Sequence, residues 1–82
     1  MNFGQALEEV KRMNKIARKG WNGKGMFVFL DPGYTCNGYE TFTGKKENQV
    51  NPCFYIKNVN DTLSTWVPSI NDCLAEDWEV IR

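Results

Sequence analysis

Residues 15–30 read KIARKGWNGKGMFVFL, and the fold turns on the last five of them. Successive side chains of a strand point to opposite faces of its sheet. Met26, Val28 and Leu30 therefore share one face, and Phe27 and Phe29 share the other. A strand that is apolar on both faces needs two covers. Upstream, KIARKGW at 15–21 reads as a strand. The Asn22-Gly23 pair behind it is the strongest short-range signal for a β-hairpin. The two segments are therefore expected to pair antiparallel. Asp31-Pro32-Gly33 ends the second strand as a turn.

One cover lies at the N-terminus. Phe3, Ala6, Leu7, Val10 and Met13 recur at three- and four-residue steps, which predicts a helix over 2–13 with a single apolar stripe. Asn2 and Gln5 have the spacing of a capping box, Lys11 and Arg12 suit the C-terminal end of the dipole, and Asn14 marks a stop. Downstream, CFYIKNV at 53–59 and LSTWV at 63–67 form a second hairpin through Asn60-Asp61, ended by Pro68. Ser69 and Asp72 make a second capping box, which starts a short helix through Cys73, Leu74 and Ala75. Trp78-Glu79-Val80-Ile81 alternates as a last strand. Residues 34–52 are polar and irregular, with room for a short strand in 34–43 and a charged loop at 44–48. The fold class is α+β: a small antiparallel sheet with an N-terminal helix and a short C-terminal helix, forming one domain over 1–82. A domain of 82 residues buries only about 60–65% of the surface its unfolded chain exposes. The second cover is therefore expected from another copy of the chain, making the protein oligomeric.

Composition excludes several classes of function. Ten Lys and Arg balance ten Asp and Glu, so the net charge is zero, whereas a nucleic-acid binder wants a basic surface. Hydrophobic residues at 41% and aromatics at 13% exclude a disordered tail. No long apolar run predicts a membrane span. Histidine is absent, which removes the commonest general base and metal ligand. Cys36, Cys53 and Cys73 are odd in number and widely spaced, so neither a disulfide framework nor a metal site is expected. The opening MNFGQALEEVKRM carries acids early and does not read as a signal peptide, so free thiols in a reducing cytosol are expected.

The candidate chemistry is that of binding. Residues 17–25, ARKGWNGKG, bring together glycines, three cations and an indole. Glycine admits close backbone approach, cations suit phosphate, and Trp21 offers a flat face to a base. The segment lacks the strand-turn-helix order of a dinucleotide fingerprint or a P-loop. The same residues also describe a tight hairpin with solvated lysines and a core tryptophan. Trp66-Val67-Pro68-Ser69 leads into a helix N-terminus, where free N–H groups favour an anion. Trp66 and Trp21 are then candidate walls of a stacking slot, and ordinary core tryptophans on the plainer reading. Asp72 fits the cap. Asp77 either closes the helix or meets a ribose. No histidine stands by to activate a thiol or to act as base, so no catalytic residue is expected.

Three motifs carry a resemblance: ARKGWNGKGM at 17–26, W-V-P-S at 66–69 and D-x-L-A-x-D-W at 72–78, strengthened by the opening MNFGQAL. Together they resemble the small phage and prophage proteins that include the second type of Thoeris anti-defence protein. Residues 34–52 are unmatched. The resemblance implies a molecular sponge that binds a cyclic nucleotide immune signal, a glycocyclic ADP-ribose, and holds it uncleaved in the cytoplasm of the infected bacterial host. It implies homotetramers with ligand pockets between protomers and, in some relatives, cyclic dinucleotides at separate sites. It implies no enzyme activity; with the composition, no cofactor or metal is expected, and neither nucleic acid nor membrane as partner. Carried over residue by residue, the ligand-binding set is Arg18, Trp21, Asn22 and Met26 from the first motif, Trp66, Pro68 and Ser69 from the second, and Asp72 and Asp77 from the third. Arg18 lies three residues before Trp21, on the opposite face of an ideal strand, which favours a site between protomers. The alternative is a phage accessory or structural interaction protein with no small ligand.

Overall fold

The computed structural model describes residues 1–21 and 23–82. Helix α1 (Phe3–Lys11) opens the chain, and its capping box forms as its residues dictate. The Asn2 side chain accepts from the Gln5 amide at 2.9 Å, and the Gln5 side chain accepts from the Asn2 amide at 3.0 Å. The helix ends at Lys11. Met13 adopts a left-handed φ of 69° and is 58% exposed. The expected stripe therefore stops at Val10 and Met13 lies outside it.

Strands β1 (Lys15–Arg18), β2 (Phe27–Asp31), β5 (Cys53–Lys57), β6 (Leu63–Trp66) and β7 (Trp78–Ile81) build one antiparallel sheet in the order β6-β5-β2-β1-β7. A second, two-stranded sheet pairs β3 (Tyr34–Cys36) with β4 (Asn48–Val50), and α2 (Glu40–Thr43) lies between them in the chain. The stretch expected to be mostly irregular is thus a hairpin arm. Gly33 makes its entry: φ is +90°, and a Cβ there would meet the Val50 carbonyl oxygen at 2.5 Å. Helix α3 (Ile70–Leu74) joins β6 to β7.

The face alternation of β2 is as the sequence requires. Val28 is fully buried beneath α1, with Ala6, Val10, Ile16 and Trp78 forming the core, and Leu30, Phe54 and Ile56 packed on it. Phe27 and Phe29 point to the other face. There Phe29 stacks on Tyr55 at 5.9 Å, and the Lys15 Nζ stands 4.9 Å over the Phe27 ring. Helix α1 covers only the first of these faces.

Two expectations about the first hairpin change. β1 stops at Arg18 rather than running to residue 21, and β2 begins at Phe27 rather than at residue 26, so the connection between them is longer than the expected 22–25. Asn22 itself lies outside the described residues. The register Ile16↔Val28 still makes the pair antiparallel. The other flank of β1 pairs with β7, from Lys15↔Ile81 to Arg18↔Trp78. Among the described residues no helix is long and apolar enough to cross a membrane.

Candidate binding cleft and its supporting ion-pair node

Past Arg18 one more bond follows the β1–β7 register before the chain turns away. The Lys19 amide donates to the Asp77 carbonyl at 3.0 Å, and the Trp21 amide donates to the Arg18 carbonyl at 3.2 Å. The Gly20 amide donates to Asp77 Oδ2 at 2.9 Å. The chain turns over residues 18–21, and strand parity no longer separates Arg18 from Trp21. Both lie on the Trp78 side: Arg18 pairs across from Trp78, and the Trp21 ring meets the Trp78 ring edge-on at 5.4 Å.

Beyond the turn, the 19–26 connection bounds a cleft of about 330 Å3. Ala17, Phe27 and Ile81 line it from the sheet, Glu79 supplies one acid, and Trp21 and Met26 line it from the loop. Lys19 and Lys24 also line it, and both are exposed. Gly23 sits so close to Val59 and Met26 that an added Cβ would collide with both side chains. Glycine here is what lets the chain approach the β5–β6 connection at Val59.

Behind the cleft lies an ion-pair node. Arg18 donates through Nε to Asp77 Oδ1 at 2.9 Å and through Nη1 to Asp72 Oδ1 at 3.1 Å. The second oxygen of Asp72 accepts from the Ser69 amide at 2.9 Å, and Ser69 Oγ accepts from the Asp72 amide at 3.0 Å. The capping box is thus joined to β1. Burial pushes the Asp72 carboxyl up, but the Ser69 amide and hydroxyl and the Arg18 guanidinium outweigh it and hold it below its ordinary range. Asp77 is held below its ordinary range chiefly by the Arg18 hydrogen bond, against burial and with help from the Gly20 amide.

The nine residues singled out in the sequence divide by place. Trp21, Met26 and Arg18 line the cleft. Arg18, Ser69, Asp72 and Asp77 form the node behind it. Asn22 is outside the described residues. Pro68 is half-buried between β6 and α3. Trp66 packs on Phe54 at 6.0 Å, on Trp78 at 6.1 Å and on Phe3 at 6.4 Å. Within one protomer Trp21 and Trp66 do not face each other across a slot, because each meets Trp78 edge-on. At the N-terminus of α3 the capping box takes the Ser69 and Asp72 amides.

Sequence reasoning passed over three residues. Lys19 and Lys24 were grouped with Arg18 as cations, yet only Arg18 is tied to carboxylates; the other two line the cleft without an ion-pair partner among the described residues. Glu79 was visible through the alternation of 78–81, which sets it on the face opposite Trp78.

Fold and cleft together define a small α+β domain built around a tryptophan cluster, with the cleft opening beside the end of β1. The chain belongs to the Tad2-like family, the Thoeris anti-defense 2-like domain, whose model matches residues 1–81. It is 40% identical, over 85 aligned residues, to the protein named Thoeris anti-defense 2 of Bacillus phage SP01, an alignment covering 99% of this chain and 94% of that one.

Proposed function

We propose that this protein counters the Thoeris anti-phage defence by binding a cyclic nucleotide signal of the glycocyclic ADP-ribose type and holding it uncleaved. The family and the phage relative support the anti-Thoeris part of the reading. The ligand part is supported by the cleft. Trp21, Met26 and Phe27 give a base flat and apolar surfaces, Lys19 and Lys24 suit a diphosphate, and Glu79 can accept from ribose hydroxyls.

At about 330 Å3 the cleft stands at the low end of small-molecule sites, which run from about 300 to 1,000 Å3. A cyclic ADP-ribose would protrude from it, and a wall from a second protomer would close the site. This favours ligand pockets between the protomers of a homotetramer. Sequestration rather than catalysis fits the acids at hand. Asp72 and Asp77 are both held ionised beside Arg18, so neither is poised as a general acid near neutral pH. The setting is the cytoplasm of the infected host, and neither nucleic acid nor membrane is a partner in this reading. Cyclic dinucleotides are a second ligand class to be tried.

Calorimetry with glycocyclic ADP-ribose isomers, followed by heating the complex and analysing the released molecule, tests the reading. A sponge returns the ligand intact. Recovery of a hydrolysed product would make the protein an enzyme. No heat of binding with any isomer would leave an interaction protein without a small ligand.

A further inference from the structure

The sequence motif makes Arg18 a cation for the ligand's phosphates, but its surroundings are unsuited to that task. Its guanidinium is engaged by two carboxylates, Asp77 at 2.9 Å and Asp72 at 3.1 Å. One positive charge against two negative ones leaves the node anionic, and a diphosphate brought to it would meet repulsion. Each carboxylate is used on both oxygens, one for Arg18 and one for a backbone amide. For Asp77 that amide is Gly20, the residue before Trp21. The fit is close: a Cβ on Gly20 would stand 2.9 Å from Asp77 Oδ2. Lys19 and Lys24, by contrast, line the cleft exposed and without carboxylate partners among the described residues.

We propose that Arg18 is a positioning residue rather than a ligand contact. It locks Asp77, Asp77 holds the Gly20 amide, and that turn presents Trp21 to the cleft, while Lys19 and Lys24 supply the charge that meets phosphate. The ligand half of this inference rests on the nucleotide-binding reading above; the turn half does not.

Arg18→Met, Gly20→Ala and Lys24→Met separate the roles. Arg18→Met removes the fork, and Gly20→Ala disturbs the same turn without changing charge. Both should shift the Trp21 indole resonance, and Arg18→Met should also shift the Gly20 amide. Both should weaken binding of a glycocyclic ADP-ribose isomer by roughly two- to tenfold, the cost of ordering one large side chain on binding. Gly20→Ala should leave the dependence of affinity on salt unchanged. Lys24→Met should leave both resonances in place and flatten the salt dependence, because a screened attraction is lost. The inference is overturned if Arg18→Met flattens the salt dependence while both resonances stay at their wild-type positions. If wild-type protein binds none of the isomers, the nucleotide reading fails and the resonances alone decide: unshifted in Arg18→Met, they overturn the turn half as well. Should Arg18→Met fail to fold, Gly20→Ala and Arg18→Lys carry the same comparison.

Discussion

The indole N–H of Trp78 donates to the backbone carbonyl of Asp72 at 2.9 Å, closing the loop between the start of β7 and the middle of α3. Trp78 is 1% exposed, and its ring is the common neighbour of Phe3, Trp21 and Trp66. Its own amide donates to the Met1 carbonyl at 3.1 Å, and its carbonyl accepts from the N-terminal ammonium at 2.8 Å. A single side chain thus joins the core beneath α1, the ion-pair node and the rim of the cleft.

Trp78→Phe keeps an aromatic ring but strands the Asp72 carbonyl and leaves a void. An unpartnered buried polar group costs about 1–3 kcal/mol, and lost core volume adds to it. A loss of roughly 2–4 kcal/mol is expected, lowering Tm by roughly 10–25 °C for a domain of this size. Thermal melts at matched protein concentration check this; a Tm within a few degrees of wild type would remove Trp78 from the centre of the packing.

Trp21→Ala tests the cleft directly. Removing a stacking face should weaken binding of a glycocyclic ADP-ribose isomer by about 1–3 kcal/mol, roughly tenfold to over a hundredfold. Trp21 is half-buried against Trp78, so some thermal stability goes with it. The ligand titration distinguishes the two roles: a folded variant with wild-type affinity would make Trp21 a core residue only.

Acid should act through the node. Asp72 and Asp77 both titrate below their ordinary values when folded. The unfolded chain therefore takes up protons first, near its carboxylate value of about 3.9. The stability these groups contribute is complete above that value and is lost as pH falls through their folded values. Asp61, held low by Lys57, adds in the same sense. Denaturant midpoints should be flat from neutrality to about pH 5 and fall steeply below about pH 4. Arg18→Met should soften that acid limb; an unchanged limb in the variant would mean that the node does not set it.

What the sequence disclosed follows from which patterns are local. Both capping boxes, the face alternation of β2 and the second hairpin depend on residues within a few positions of each other, and each formed. The pairing of β7 with β1 joins residues sixty or more positions apart, and no short-range pattern announces it. The Arg18 node was hidden for the same reason, since its ion pairs span 54 and 59 residues. Local signals also misled where tertiary bonds won. The pattern of 15–21 suggested a strand running to Trp21, but the Asp77 side chain captures the Gly20 amide and β1 ends at Arg18. In the cleft, Trp21 and Met26 were legible as types. The separate parts of Arg18 and Lys24 were not, because nothing local shows which cation will be met by a carboxylate.

The uncovered face of the sheet bears on assembly. Phe27 and Phe29 lie 6.1 Å apart, and Phe29 stacks on Tyr55 with an interplanar angle of 25°. Beside them Met13 and Leu63 are more than half exposed, and a hollow of about 430 Å3 opens among Met13, Lys15, Phe27, Phe29, Leu30 and Leu63. A second copy laid on this face would supply the apolar burial that so short a chain lacks, and a two-fold pairing is the default geometry. Light scattering at micromolar concentration should therefore give a multiple of the 9.5 kDa chain mass, with a tetramer expected. Phe29→Lys would set a third ammonium among Lys15 and Lys57, whose Nζ atoms already stand 4.9 and 5.8 Å from the Phe27 ring. The variant should dissociate and keep the far-ultraviolet dichroism of the fold, because Phe29 points away from the core under α1. A wild-type particle of 9.5 kDa would refute the assembly. A variant still assembled would move the interface to another surface, such as exposed Val67, Ile70 and Leu74.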